Sequence, residues 1–396
     1  MGQVWLQSAL WIGLALVAAI VSIRVAVSVA LIEIMVGALA GNAIGLPLTE
    51  WVNFLAGFGA IMLTFLAGTE IDPGVVRKHF RSAISIGVVG FFAPYVGVLA
   101  YAHYAIHWPW DQAQIAGISL STTSVAVVYA VMIETGFNRT EMGKIILAAC
   151  FVNDLGTVIA LGLIFAPFTM RTLIFIGASV VVFAALPFVT PWFFQKYGGR
   201  VSELETKYIL FLLFGMGGLA AWAGSEAVLP AYIIGMVLAG TVGRDHILVR
   251  RLRTLTFGLL TPFYFIRAGS LVSVPALIAM PFAFLALLAA KMVCKMVPLV
   301  PTVRAFNHVG HQGLYYSLMM STGLTFGTIS ALFGLNHQII TAAQYSYLVA
   351  TVIASAVVPT AIANAYFMPK HLLPQTEHEV QSTAVLLDDA GAGAKD

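Results

Sequence analysis

Read along its apolar and polar positions, the 396-residue chain is a succession of long apolar stretches separated by short polar ones. Thirteen apolar segments run near 5–23, 27–43, 51–69, 82–105, 113–134, 142–165, 170–193, 207–225, 228–243, 254–272, 276–299, 312–334 and 340–366. A helix crossing the hydrocarbon core needs roughly 20 residues of this kind, so each segment is expected to be a spanning helix. The connections are short and rich in Gly, Pro and charge, as at Asp72, Pro73 and Gly74, at Gly198, Gly199 and Arg200, and at Gly243, Arg244 and Asp245.

Composition agrees with this pattern. The chain is 60% hydrophobic and only 9% charged, with a mean hydropathy of +0.93, whereas a soluble domain carries about 25% charged residues. So little charge cannot cover a water-facing surface, and the bilayer must be the solvent. The net charge of +3 is too small to point to nucleic acid. Cys150 and Cys294 lie inside apolar runs, without the spacing of a disulfide framework or a metal site. Met1 to Val4 lack a positive charge, so the first stretch is read as a mature span rather than a signal peptide. Residues 1–369 are read as one transmembrane domain and 370–396 as a short cytoplasmic tail, polar enough to be disordered.

Lys and Arg set the orientation. With the N-terminus outside, 16 of the 20 fall inside: Arg24, Arg77, Lys78, Arg81, Arg139, Lys144, Lys196, Arg200, Lys207, Arg244, Arg250, Arg251, Arg253, Arg304, Lys370 and Lys395. Arg171 falls outside, and Arg267, Lys291 and Lys295 fall within spans. The alternation puts the C-terminus in the cytoplasm and the protein in the cell inner (plasma) membrane. It also gives the six segments before segment seven and the six after it opposite topology, the arrangement of an inverted repeat. The two halves share little residue-level similarity, so the repeat rests on topology alone.

The fifth segment of each half is unusually polar. The first carries Gly117, Ser119, Ser121, Thr122, Thr123 and Ser124; the second carries Ser317, Ser321, Thr322, Gly323, Thr325, Gly327, Thr328 and Ser330. Matching polar, glycine-rich interruptions in corresponding helices point to a mid-membrane ion site, because a break exposes half-helix ends of opposite partial charge. Close helix packing through small residues is the other reading.

Ionisable residues inside spans are costly and therefore candidates for function. Asp154 lies about halfway along segment six, with Asn153 beside it. A carboxylate there can hold a dehydrated monovalent cation or a proton, but not both, and that competition is the core of antiport. Asn153 offers a carbonyl ligand without a second charge. A buried acid paired with a lysine is the structural alternative for Asp154. Lys291, past the middle of segment eleven, needs a counter-charge, either Asp154 or a broken-helix end. Lys295, one turn on, is expected to snorkel toward the cytoplasm. Arg267 sits near the outer end of segment ten, where it either snorkels outward or serves the site. Glu33 in segment two is read as bridging helices or sitting protonated, and Glu70 and Asp72 as a cap and a turn. His103, His107, His308, His311 and His337 occupy segment ends, as ordinary interfacial histidines.

Taken together these motifs resemble the cation/proton antiporter family 2, which contains the Kef-type potassium and NapA-type sodium antiporters. Glu33 to Gly37 is similar to that family's GEILAG helix, Phe65 to Asp72 to its FLAGLELD signature, and Pro262 to Gly269 to its FFxxxG helix. Ser121 to Ser124 match its first broken helix, and Asn153-Asp154 stands where members carry Asp-Asp, Asn-Asp or Gln-Asp. Lys291 falls where a membrane lysine is expected. The resemblance covers residues 5–366. It implies an all-α integral membrane fold of about thirteen transmembrane helices, two inverted six-helix repeats with crossed discontinuous helices (NhaA/NapA-like). It further implies a homodimer, built from interleaved core and scaffold subdomains, that exchanges Na+ or K+ for H+ by an elevator movement. In this picture Asp154, Asn153, Thr123 and Ser124 bind the ion or proton. Lys291, Glu33 and Arg267 supply supporting charge, and Ser121, Thr122, Ser321, Thr322 and Gly323 form the breaks.

Two departures matter. Asn153-Asp154 has one acid fewer than the Asp-Asp pair of electrogenic members, which suggests electroneutral exchange, although a lysine such as Lys291 can itself release a proton. Kef-type chains often continue into a nucleotide-binding domain; this one has no GxGxxG motif after a strand, so gating by nucleotide in cis is not expected, and no cofactor is. Lipid is the other expected partner, without nucleic acid. The alternative is a sodium-coupled symporter of an organic anion on the same fold. An enzyme is disfavoured by the lack of GxSxG and HExxH, and a channel by the lack of a selectivity-filter loop.

Overall fold

A computed structural model describes residues 2–25, 29–69, 74, 78–125, 127–128, 131–132, 137, 140–165, 169–225, 227–307, 310–369 and 372. The cap-and-turn reading of Glu70 and Asp72, the placement of His308 and the disordered-tail expectation lie outside these residues.

The described residues are helical, with no strand among them. In chain order the helices are α1 (Gly2–Val25), α2 (Val29–Ile44), α3 (Glu50–Thr69), α4 (Phe80–Ala100), α5 (Trp110–Ser121), α6 (Glu141–Ile164), α7 (Met170–Tyr197), α8 (Leu204–Trp222), α9 (Val228–Leu238), α10 (His246–Leu255), α11 (Thr261–Ser270), α12 (Val274–Ala279), α13 (Pro281–Ala305), α14 (Gly310–Met320), α15 (Thr325–Asn336) and α16 (Ala342–Ile362). Among the described residues nine helices, some of them formed by consecutive elements, are long and apolar enough to cross a membrane, and α2 and α9 are shorter apolar helices. The chain is thus a multi-pass membrane protein.

Side-chain caps place several helix starts. Thr140 accepts from Gly143 N–H at α6, and Thr341 and Gln344 form a reciprocal capping box at α16. Segment ten differs most from its sequence reading. The stretch near Arg244 looked like loop, yet helix begins at His246, because the Asp245 side chain caps the Ile247 and Leu248 N–H groups. Leu248, Val249 and Leu252 bury one face while Arg250 and Arg251 keep the other exposed. A wider π-type turn over Thr256–Leu260 then leads into α11.

Two sets of helices emerge from the packing. α1, α2, α3, α7, α8, α9, α10 and α11 pack among themselves; α4, α5, α6, α13, α14, α15 and α16 form the second set. Close approach in the first set depends on glycine. A Cβ on Gly37 would strike the Ile266 carbonyl, and one on Gly269 the Ile34 carbonyl, so α2 and α11 touch along their backbones. The sets meet where α9 packs on α6, and again at α12, the short helix joining α11 to α13.

Candidate functional site

The second set is organised around two interruptions. α5 ends at Ser121, and Thr122, Thr123 and Ser124 leave helical geometry before helix resumes at Val125. α14 ends at Met320, and Ser321 to Leu324 are non-helical before α15 starts at Thr325. Thr122, with an extended backbone, and Leu324, at φ −150°, are the points of departure. Freed peptide groups must find partners away from water, and the two breaks supply them to each other. Ser124 N–H donates to Thr322 O at 3.2 Å, and Thr123 Oγ1 donates to Met320 O at 2.7 Å. A Cβ on Gly323 would press on Thr122 Oγ1 and O, so glycine is what lets the chains cross there. The hydroxyls that marked these runs in the sequence are fully buried and cap their own helix ends: Ser121 Oγ donates to Ile118 O, Ser321 Oγ to Ser317 O, and Thr322 Oγ1 to Met319 O.

α6 lays Asn153 and Asp154 against the first break. Asn153 Oδ1 accepts from Thr123 N–H at 2.9 Å, while its Nδ2 donates to Ser121 O at 3.4 Å. Asn153 therefore braces both sides of the interruption, and one lone pair of its carbonyl is already engaged. Asp154 is 1% exposed. Its carboxyl lies beside the Val125 backbone N–H, at the start of the resumed half-helix, where the partial positive charge suits an anion. Its Oδ1 has no hydrogen-bond partner among the described residues. The ion pairs among those residues, Lys78–Glu141 and Arg251–Glu203, do not include it. Among the described residues no lysine lies within ion-pair distance of Asp154, although Lys295 is near enough to attract its charge.

Lys295 corrects the sequence reading. It does not snorkel: it is fully buried and donates to Ser121 O at 2.6 Å, Thr122 O at 2.8 Å and Thr123 Oγ1 at 2.9 Å. An ammonium has three donors, and each finds an acceptor at the carbonyl end of α5. Lys291, one turn earlier, is equally buried but donates to Ser355 Oγ at 2.7 Å beside the second break. A Cβ on Gly323 would collide with its Nζ, so the glycine also makes room for the lysine. The i,i+4 spacing of the two lysines was the available signal: it places both on one helix face, and depth along the helix was a poor guide to what that face meets. Ser355 on α16 and the Val125 amide had no distinguishing sequence signal.

Glu33 and Arg267 are not part of this cluster. Glu33 is buried in α2, and Arg267 lies on α11, where its Nε donates to Asn53 Oδ1 of α3 at 2.6 Å. Arg267 lines a cavity of about 310 Å³ between α3, α9 and α11 on one side and α15 on the other.

A family profile described as sodium/hydrogen exchanger, transmembrane, matches residues 12–367. Among curated proteins, the chain is 25% identical over 236 residues to the probable Na(+)/H(+) antiporter 3 of Methanocaldococcus jannaschii, an alignment covering 57% of this chain and 60% of that protein. It is 25% identical over 344 residues to the glutathione-regulated potassium-efflux system protein KefC of Cronobacter sakazakii, covering 82% of this chain and 54% of that one. The match to cation/H(+) antiporter 17 of Arabidopsis thaliana spans 29% of that protein, so the chain aligns with only part of the length of these relatives. Among solved structures, the sodium proton antiporter MjNhaP1 from M. jannaschii superposes with a TM-score of 0.70 at 14% identity, covering 92% of this chain and 97% of that one, which shows a shared fold. The match of the family profile across nearly the whole chain, on a fold of this kind, places the protein in the sodium/hydrogen exchanger family of membrane transporters.

Proposed function

We propose that the chain exchanges a monovalent cation, Na+ or K+, for protons, and that Asp154 is the group that holds one or the other. The observation that carries this is the Asp154 carboxyl: buried, beside a helix interruption, with one oxygen not hydrogen-bonded among the described residues. Charge buried at that depth must be neutralised, and a cation and a proton are alternative ways to do it. Thr123 and Ser124 are proposed to shape the cation's surroundings, with Asn153 holding the break and offering its second lone pair.

The remaining elements of the reading belong to the same proposal. The thirteen apolar segments are taken as thirteen spans in two inverted halves, N-terminus outside, in the cell inner membrane, with the protein a homodimer. The second helix set is the core that carries the site, the first is the scaffold, and the core moves against it. The cavity beside Arg267 lies along the boundary between the sets, as a path from one side of the membrane would. Relatives named as Na+/H+ antiporters and a potassium-efflux system support cation exchange; nothing found favours the sodium-coupled symporter. Cation-dependent collapse of a proton gradient in proteoliposomes tests the reading. Asp154→Asn is expected to abolish it, and a fully active variant would refute the site.

A further inference from the structure

The scaffold helix that meets the core beside the ion site is α9, and its contact there is made by Tyr232. This residue is fully buried. Its hydroxyl donates to Phe151 O of α6 at 3.2 Å, three residues before Asp154. Its ring stands edge-on to Phe326 at a centroid separation of 5.7 Å, and Phe326 is the second residue of α15, directly after the second break. One scaffold side chain therefore touches both core elements that frame the site. Its own helix is fixed from behind: a Cβ on Gly68 of α3 would strike the Tyr232 carbonyl, and one on Gly235 the Phe65 carbonyl, so α9 and α3 have no slack between them. The phenol is thus anchored on the rigid side and bonded on the side that carries the ion.

We propose that Tyr232 is a positioning residue that latches the core in the position seen here, its hydroxyl breaking from Phe151 O whenever the core shifts along α9. This rests on the proposed movement of core against scaffold. The carbonyl is a helix-interior acceptor that loses nothing of its own ladder when the phenol leaves, and the flat ring can slide past Phe326, so the contact is suited to making and breaking. A neutral buried hydrogen bond is worth enough to shift a two-state balance about fivefold. The latch would therefore bias the transporter toward one side of the membrane without locking it there.

Tyr232→Phe removes the hydroxyl and keeps the ring. Half-saturation by Na+ or K+ is read in right-side-out and inverted vesicles, and core–scaffold separation by spin labels at the exposed Val180 and Val96 with Cys150→Ala and Cys294→Ala. The variant is expected to weaken apparent affinity at one face and strengthen it at the other, the ratio changing about fivefold, and to deplete one of two label separations by a like factor. A purely structural tyrosine would move both faces together or neither and leave the separations unchanged, and that result would overturn the latch. The label measurement does not depend on transport. A protein that shows both separations, shifted by Tyr232→Phe, yet exchanges no cation for protons would sink the antiport reading and uphold the latch.

Discussion

The two buried lysines make a quantitative contrast. Lys295→Met keeps the length of the side chain and removes three donors, leaving Ser121 O, Thr122 O and Thr123 Oγ1 without the ammonium that now joins them. Of these, Ser121 O retains only the 3.4 Å contact from Asn153 Nδ2 as a further side-chain donor. Leaving a buried acceptor unsatisfied costs about 1–3 kcal/mol, and here up to three are left at once, partly offset, as for Lys291, because an ammonium no longer has to be buried. Lys291→Met removes one bond, to Ser355 Oγ, and about 1–2 kcal/mol is expected. The structure thus predicts Lys295→Met to be the more destabilising by about 2 kcal/mol, as read from unfolding midpoints of the purified protein in detergent. Equal losses, or a larger loss for Lys291→Met, would refute the assignment of Lys295 to the carbonyl end of α5.

Other expectations follow from single contacts. Gly323→Ala places a methyl against Lys291 Nζ and Thr122 Oγ1 and is expected to reduce cation-dependent exchange at least tenfold, while Gly177→Ala, whose Cβ would meet no other element within 4 Å, leaves it unchanged in the same proteoliposome assay; comparable rates would contradict the crossing geometry. Asn153→Asp keeps the acceptor for Thr123 N–H and adds a second acid, so exchange should become dependent on membrane potential; insensitivity to valinomycin-clamped voltage would count against the one-acid stoichiometry. Arg251→Ala removes the exposed pair with Glu203 and should change the melting temperature little, since such pairs are worth about 0–1 kcal/mol.

How much of this was legible in the chain follows from what each signal measures. Apolar length located the helices, because the bilayer imposes it. The hydroxyl and glycine runs located both interruptions, because peptide groups released in a membrane must be satisfied locally and Ser, Thr and Gly are the residues that do so at close quarters. Asp154 stood out because a carboxylate at mid-span is too costly to be accidental. What the sequence hid was orientation around the helix axis. Lys295 was placed by its depth in α13, yet the face it shares with Lys291 turns it toward Ser121 and Thr122. Arg267 was open between snorkelling and serving the site and Glu33 was read as bridging helices or protonated; α2 and α11 pack on one another through Gly37 and Gly269 and belong to the other helix set. The start of α10 was missed because its apolar residues, Leu248, Val249 and Leu252, form a stripe among arginines rather than a run.

The account depends most on cation and proton excluding one another at Asp154. Calorimetric titration of the purified protein with Na+ and K+, repeated in buffers of different ionisation enthalpy, counts the protons released as a cation binds. The account predicts about one proton per cation bound for the native chain and neither binding nor release for Asp154→Asn. Cation binding without proton release, or release undiminished in Asp154→Asn, would contradict it.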